Sequence, residues 1–337
     1  MTRPIIGLTM GDPAGVGPEV VVRALAEPEI YELSRPIVIG DLATIERTVA
    51  GCGLPLKVGR VSSPEEAGYE FGTVDVLQAT TDDLSGVPMG RVSASAGKAS
   101  VECIFRAVDL AKARRIDAIA TGPINKDAIN QAGYHYPGHT EMLAELTGTT
   151  DYSLMLVAGN LRVVHVTTHV SMKQAMALLS KDRVLRLIRL AERTAKELGV
   201  PKPRVGVCGF NCHAGENGLF GTEEIEHIAP AVEQAKAEGI EATGPWPPDT
   251  IFFRAANRNE FDIVVAMYHD QGHIAVKMLG FEAGVNTTAG LSIIRTSVDH
   301  GTAFRRAGQW RADAGSMIEA IKLGAKLALQ RYYGGTT

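Results

Sequence analysis

The sequence predicts an α/β protein of two domains built on mostly parallel sheets. Three observations carry that expectation. A chain of 337 residues suits about two domains of ordinary size. Short apolar runs alternate with stretches of helical periodicity. The 36 glycines cluster in polar turns directly after those runs, as in enzymes that carry their active groups on loops.

The runs read as buried strands at residues 5–9, 36–40, 117–121, 153–157, 162–168, 204–208 and 262–267. Val101, Ile104, Phe105, Val108 and Ala111 recur at helical spacing. So do Val184, Leu187, Ile188 and Ala191 ahead of Gly199, and a last helix is expected over 314–329. No repeat or flexible linker marks a boundary. Interleaved domains are therefore expected, one from 1–125 with 285–337 and the other from 126–284.

The net charge of −4 excludes a general nucleic-acid binder, which needs an excess of positive charge. No apolar stretch is long enough to span a bilayer, and the first residues run straight into Gly11-Asp12-Pro13 without a signal-like segment. Cys52, Cys103, Cys208 and Cys212 form no C-x-x-C pair and read as reduced thiols. The expected location is cytoplasmic.

Three histidines follow predicted strands: His169 after 162–168, His213 after 204–208, and His269 after 262–267. Ligands of open parallel sheets bind outside the carboxyl ends of strands. Three neutral imidazoles placed there suit a catalytic divalent metal. Any one of them alone is more simply structural. His269 and His273 share the spacing of H-E-x-x-H, but Asp270 replaces the Glu and Gly272 is a poor helix former, so a zincin-type protease is not expected. His165, inside an apolar run, reads as a core histidine with a backbone partner.

Residues 11–19, GDPAGVGPE, offer Gly11, Asp12 and Gly15 on a strand-to-helix turn, where helix amides attract anions. The third glycine of G-x-G-x-x-G is absent, so a standard Rossmann fingerprint is excluded. A cationic and polar set comprises the segment 121–126 with Lys126, the segment 138–141 with His139 and Thr140, and Lys277, Asn286 and Arg295. Such groups suit carboxylate or phosphate recognition. The loop His300-Gly301-Thr302 follows another strand-like run and could line a nucleotide site.

Together the segments MGDPAGVGPE, TGPINK, YPGHTE, TTH, NCHAGENG, GTEEI, PPDT, AMYHDQGH and GVNTTAGLSIIRTSVDHGTA resemble, in order and over almost the whole chain, the 4-hydroxythreonine-4-phosphate dehydrogenase family of pyridoxine biosynthesis. Where Asn-Pro-His is usual, this chain has Asn211-Cys212-His213. Residues 28–31 and 35–41 look more like the second-type paralogues, which act on D-threonate or D-erythronate 4-phosphate. A third branch oxidises the terephthalate cis-dihydrodiol. The resemblance implies a two-domain α/β/α architecture similar to isocitrate and isopropylmalate dehydrogenases. It implies a homodimer with its active site at the subunit interface and one divalent metal on His169, His213 and His269 drawn from both chains. Zinc is the default for three histidines, with magnesium, manganese or cobalt as alternatives. Substrate contacts carry over to His139, Thr140, Lys277, Asn286 and Arg295, and a cofactor role to His300, Gly301 and Thr302.

On that basis the expected reaction is oxidation, by NAD or alternatively NADP, of the carbon-3 hydroxyl of a 4-phosphorylated four-carbon acid, followed by decarboxylation. Asp249 and Asp270 are candidates for orienting ligand histidines or substrate, and Lys126 for a base or anion contact. A phosphate acyltransferase and a phosphate-releasing hydrolase are the competing classes. Neither accounts as directly for the three histidines.

Overall fold

The computed structural model describes residues 2–279 and 285–334. Its chain divides into two compact units, Met1–Thr150 with Leu291–Thr337, and Asp151–Gly290. The change-over points differ from the expected 125/126 and 284/285. The segment after 125 stays with the first unit because its helices pack on a helix of that unit, as described next.

The first unit runs β1 (Ile5–Thr9), α1 (Gly17–Ala24), α2 (Pro28–Leu33), β2 (Arg35–Gly40), α3 (Leu42–Cys52), β3 (Lys57–Val61), β4 (Thr73–Gln78), α4 (Ala94–Lys112), β5 (Ala118–Thr121), α5 (Lys126–Gln131) and α6 (His139–Thr147). Both α5 and α6 lie against α4. The second unit holds β6 (Ser153–Ala158), β7 (Leu161–His165), α7 (Met172–Leu178), α8 (Lys181–Glu197), β8 (Val205–Cys208), α9 (Ala229–Ala237), β9 (Ala242–Trp246), α10 (Pro248–Arg258), β10 (Ile263–Ala266), α11 (His269–Leu279) and β11 (Val285–Ala289). The chain then returns to the first unit with β12 (Arg295–Val298) and α12 (Gly315–Tyr333).

In the first unit the strand order is β3-β4-β2-β1-β5-β12, parallel throughout. Its central strands are apolar and fully buried, with Ile6, Leu8, Ile37, Ile39 and Ile119 at 0% exposure. That is the signature of a sheet covered on both faces. In the second unit the order is β11-β6-β7-β10-β8-β9. There β7, β10, β8 and β9 run parallel, while β6 pairs antiparallel with β7 and with β11. A two-residue turn at Gly159 and Asn160 joins β6 to β7, and Gly159 takes the positive φ that such hairpins demand. Helix α8 buries Val184, Leu187, Ile188 and Ala191, the predicted stripe, and Ser180 caps its first turn.

The α/β expectation therefore holds, with mostly parallel sheets and flanking helices. Parallel strands send their carboxyl ends to one edge. Because β7, β10 and β8 are neighbours, the loops after them, which bear His169, His269 and His213, emerge side by side.

Candidate active site

Three hydrogen bonds tie those loops of the second unit together. Thr167 Oγ1 donates to Met267 O (2.9 Å), Met267 N donates to Gln271 Oε1 (2.7 Å), and Gln271 Nε2 donates to Gly209 O (2.9 Å). The buried Gln271 thus links the turn after β10 to the loop after β8. A cleft of ≈ 210 Å³ opens there, lined by residues including Thr168, His169, Tyr268, His269 and Asp270.

His169 and His269 meet at this cleft, with ring centroids 5.5 Å apart. His169 holds a positive φ of 46°, a backbone state that costs a non-glycine residue about 1–2 kcal/mol and is kept where a side chain must be aimed. His269 Nδ1 lies 2.6 Å from Asp270 Oδ1. The carboxylate can only accept, so Nδ1 carries the proton and Nε2 keeps its lone pair for a ligand. Asp270 thus lies within hydrogen-bond reach of His269.

His213 does not join that pair within the chain. Its ring neighbours that of Phe220, tilted by 43° with 6.1 Å between centroids. Among the described residues, no three His, Cys, Asp or Glu side chains gather in a group that could hold a metal ion. His213 to Asn217 all sit in the left-handed region, with φ between 43° and 78°. The loop is pinned by the buried Glu224, whose Oε1 accepts from Phe210 N and Asn211 N (both 2.7 Å) and whose Oε2 accepts from Asn211 Nδ2 (3.0 Å). His169 and His269 are thus the two imidazoles that this cleft of the second unit brings together.

Behind the pair stand two more histidines. His165, at the end of β7, is buried, and its Nε2 has no partner. Burial pushes its pKa down to about 3, and the neighbouring His273 adds to the effect. His273 is pushed down to about 4, by burial first and then by His269. Both are neutral at physiological pH. The expectation that Gly272 argues against a helix here is corrected: α11 passes straight through it. A Cβ at Gly272 would collide with His165 Nε2 and come 2.7 Å from Val163 Cγ1, so the missing side chain lets the helix settle onto β7. Lys277 and Asn286 lie half-buried on α11 and β11 of this unit. Asp249 is exposed in the first turn of α10.

A second cluster occupies the first unit. Arg295, 3% exposed at the start of β12, donates from Nε (3.1 Å) and Nη2 (2.9 Å) to Thr121 Oγ1 at the end of β5. Burial lowers its pKa to about 9, against the pull of the Glu141 carboxylate, so it remains a cation at neutral pH. His139 opens α6, and its Nε2 is shut off from solvent without a partner. Burial, aided by the Arg295 charge, holds His139 well below the usual imidazole range. A cation and a neutral imidazole are thus coupled here, and Thr140 follows on the same turn. Lys126 is exposed at the start of α5.

The proposed cofactor residues fall partly together. Asp12 N donates to Pro123 O (2.8 Å) and Val16 N to Thr302 O (3.0 Å), which ties the loops after β1, β5 and β12 to one another. Gly11 has a φ of 71°, and a Cβ at Gly15 would lie 2.7 Å from Thr302 O. Asp12 is fully buried, with Oδ1 accepting from Ala14 N (2.8 Å) and Oδ2 without a partner. Burial raises its pKa to about 6. Gly301 is exposed in open space, and His300 turns Nδ1 onto Gly301 O (2.9 Å).

Sequence reasoning passed over Thr121 as an individual residue, and Glu224, His165 and His273 as site residues. For His273 the readable signal was its four-residue spacing from His269. For Glu224 no pattern announces a carboxylate that caps a loop thirteen residues earlier.

The fold defines an α/β protein in which imidazole and carboxyl groups stand on strand-end loops of the second unit, and a buried guanidinium stands at the start of a strand of the first. Residues 32–324 match the model of the pyridoxal phosphate biosynthetic protein PdxA, and the chain belongs to that family. It is 51% identical to a D-threonate 4-phosphate dehydrogenase of Cupriavidus necator, across 97% of this chain and 98% of the relative. It is 47% identical to a 4-hydroxythreonine-4-phosphate dehydrogenase of Desulforapulum autotrophicum, across 96% and 95%. The crystal structure of a 4-hydroxythreonine-4-phosphate dehydrogenase from Burkholderia phymatum superposes with a TM-score of 0.87 at 52% identity, covering 97% of this chain and 99% of the other.

Proposed function

We propose that the chain is a dehydrogenase that oxidises the carbon-3 hydroxyl of a 4-phosphorylated four-carbon acid, with D-threonate 4-phosphate as preferred substrate and 4-hydroxythreonine 4-phosphate as the alternative. The observation that carries this reading is identity near one half, over essentially the whole chain, to relatives named for those two activities.

In the second unit, His169 and His269 would hold a divalent cation, zinc by donor type, with His213 coming from a second copy of the chain. A cation bound there supplies Lewis-acid polarisation of a substrate hydroxyl, and NAD supplies the hydride acceptor. Asp270 keeps the proton on His269 Nδ1 and so keeps Nε2 available. Lys277 and Asn286 present a charge and an amide to anionic substrate groups. In the first unit, Arg295 would take a carboxylate or phosphate in bidentate fashion, and neutral His139 offers a hydrogen bond beside it. Oxidation removes a hydride from carbon 3 and the proton of its hydroxyl, which leaves a 3-keto acid. That acid then loses CO2, the electrons of the broken C–C bond passing to the keto group.

A homodimer is part of the proposal. Large apolar side chains stand exposed on the second unit, among them Met172, Met176, Leu219, Phe220, Ile274 and Met278, and a second copy would cover them.

The test is a substrate panel of D-threonate 4-phosphate, 4-hydroxythreonine 4-phosphate and the terephthalate cis-dihydrodiol, with NAD and with NADP, read by absorbance of the reduced nicotinamide. Turnover of the dihydrodiol alone overturns the phosphate reading. His213→Ala is expected to lose both bound metal and activity, and full turnover without metal refutes the cation's role.

A further inference from the structure

We propose that His273, backed by His165, is a positioning residue that fixes the plane of the His269 ring. This rests on the reading of His269 as a cation ligand, although the ring geometry that carries it exists without a cation. His269 opens α11 and His273 follows four residues on, so both project from one face of the helix. Their rings stack, with centroids 3.6 Å apart and 15° between planes. His273 Nδ1 lies 2.9 Å from His269 O, and since a carbonyl only accepts, the proton sits on Nδ1 and anchors the His273 ring to the helix backbone.

On the far side of His273 lies His165, with ring centroids 4.8 Å apart. His165 is 2% exposed on β7, so the file of three rings runs from the sheet to the cleft. Gly272 makes the file continuous, because any side chain there would part α11 from His165.

The Asp270 bond and the stack do different work. The first fixes which nitrogen of His269 bears the proton. It leaves the ring free to swing with its partner, because Asp270 is itself exposed. The second, buried and anchored, fixes the plane in which Nε2 points. A ligand histidine needs both restraints.

Two variants separate the ring from the hydrogen bond. His273→Phe keeps a flat ring and loses the donor, and His273→Asn keeps a donor and loses the ring. In the full-length chain, the mobility of the His269 ring is read from carbon-13 relaxation of its Cδ2–H group, and Co2+ affinity is read by titration of visible absorbance. The Asn variant is expected to loosen the ring and to weaken Co2+ binding about tenfold or more. The Phe variant is expected to keep both within about threefold of the wild type. An Asn variant with a wild-type ring and affinity overturns the proposal, and so does a folded Phe variant as mobile as the Asn variant. A wild-type chain that takes up no Co2+, yet whose His269 ring loosens only in the Asn variant, refutes the cation reading and supports the positioning role.

Discussion

Replacing Asp12 by Asn is expected to stabilise the protein at neutral pH and to leave its stability near pH 4 unchanged. Asp12 is buried, with one oxygen on Ala14 N and the other without a partner, and its pKa rises from 3.8 to about 6. Between those values the folded state binds more protons than the unfolded state. Stability from this group is therefore fully present below pH 3.8 and is lost as pH rises through about 6. A shift of about two units at 1.36 kcal/mol each corresponds to about 3 kcal/mol. Asn keeps the acceptor for Ala14 N and carries no charge at any pH, so the variant should gain about 2–3 kcal/mol over wild type at pH 7.5. Depressed carboxylates elsewhere, such as Glu223 and Asp262, have the opposite pH slope. The difference between wild type and variant removes them, because they are common to both proteins. The assay is urea unfolding across the pH range in a Trp246→Phe background, where Trp310 alone reports on the first unit. A gap between the two proteins that stays constant from pH 4 to 7.5 refutes the reasoning. So does the absence of any gap at pH 7.5.

Three further substitutions follow from the same geometry. Thr121→Val removes the hydroxyl that accepts two bonds from the buried Arg295, and should cost about 1.5–3 kcal/mol in urea unfolding; an unchanged midpoint contradicts the pairing. Arg295→Lys keeps the charge but loses the planar fork, so the KM for the phosphorylated acid should rise tenfold or more with the fold intact, measured by steady-state kinetics. Glu224→Ala frees Phe210 N, Asn211 N and the Asn211 side chain. It should cost about 2–3 kcal/mol and cut metal content along with activity, because the loop that carries His213 is released; metal content equal to wild type shows that the loop holds itself.

The fold was legible where burial and hydrophobicity coincide. Strands such as β1, β2, β8 and β10 are apolar runs inside a covered sheet, and they announce themselves. β12 shows only as a strand-like run without the apolar signature of the others, because its residues Arg295-Thr296-Ser297 are polar and yet buried. It is stabilised by bonds that hydropathy cannot register, such as Thr296 Oγ1 to Ala320 O at 2.7 Å. β11, with Asn286-Thr287-Thr288, is hidden for the same reason. β3 is an edge strand with Lys57 and Arg60 on it, and charge at an edge is how a sheet avoids further pairing, so it reads as a loop. Gly244-Pro245 inside β9 masks that strand as a turn.

The site was legible to the level of the loop and no further. Parallel strands deliver their carboxyl ends to one edge, so three histidines placed after three strands can be read as neighbours from order alone. What a histidine does after leaving the strand depends on contacts that are distant in sequence. His269 has its proton placed by Asp270 beside it and its ring stacked on His273, a stack that needs Gly272 to be bare. His213 opens five residues of left-handed backbone, and Glu224 from the next element holds Phe210 and Asn211 just before it. Within the chain His213 neighbours Phe220, and no group of three possible metal ligands forms among the described residues.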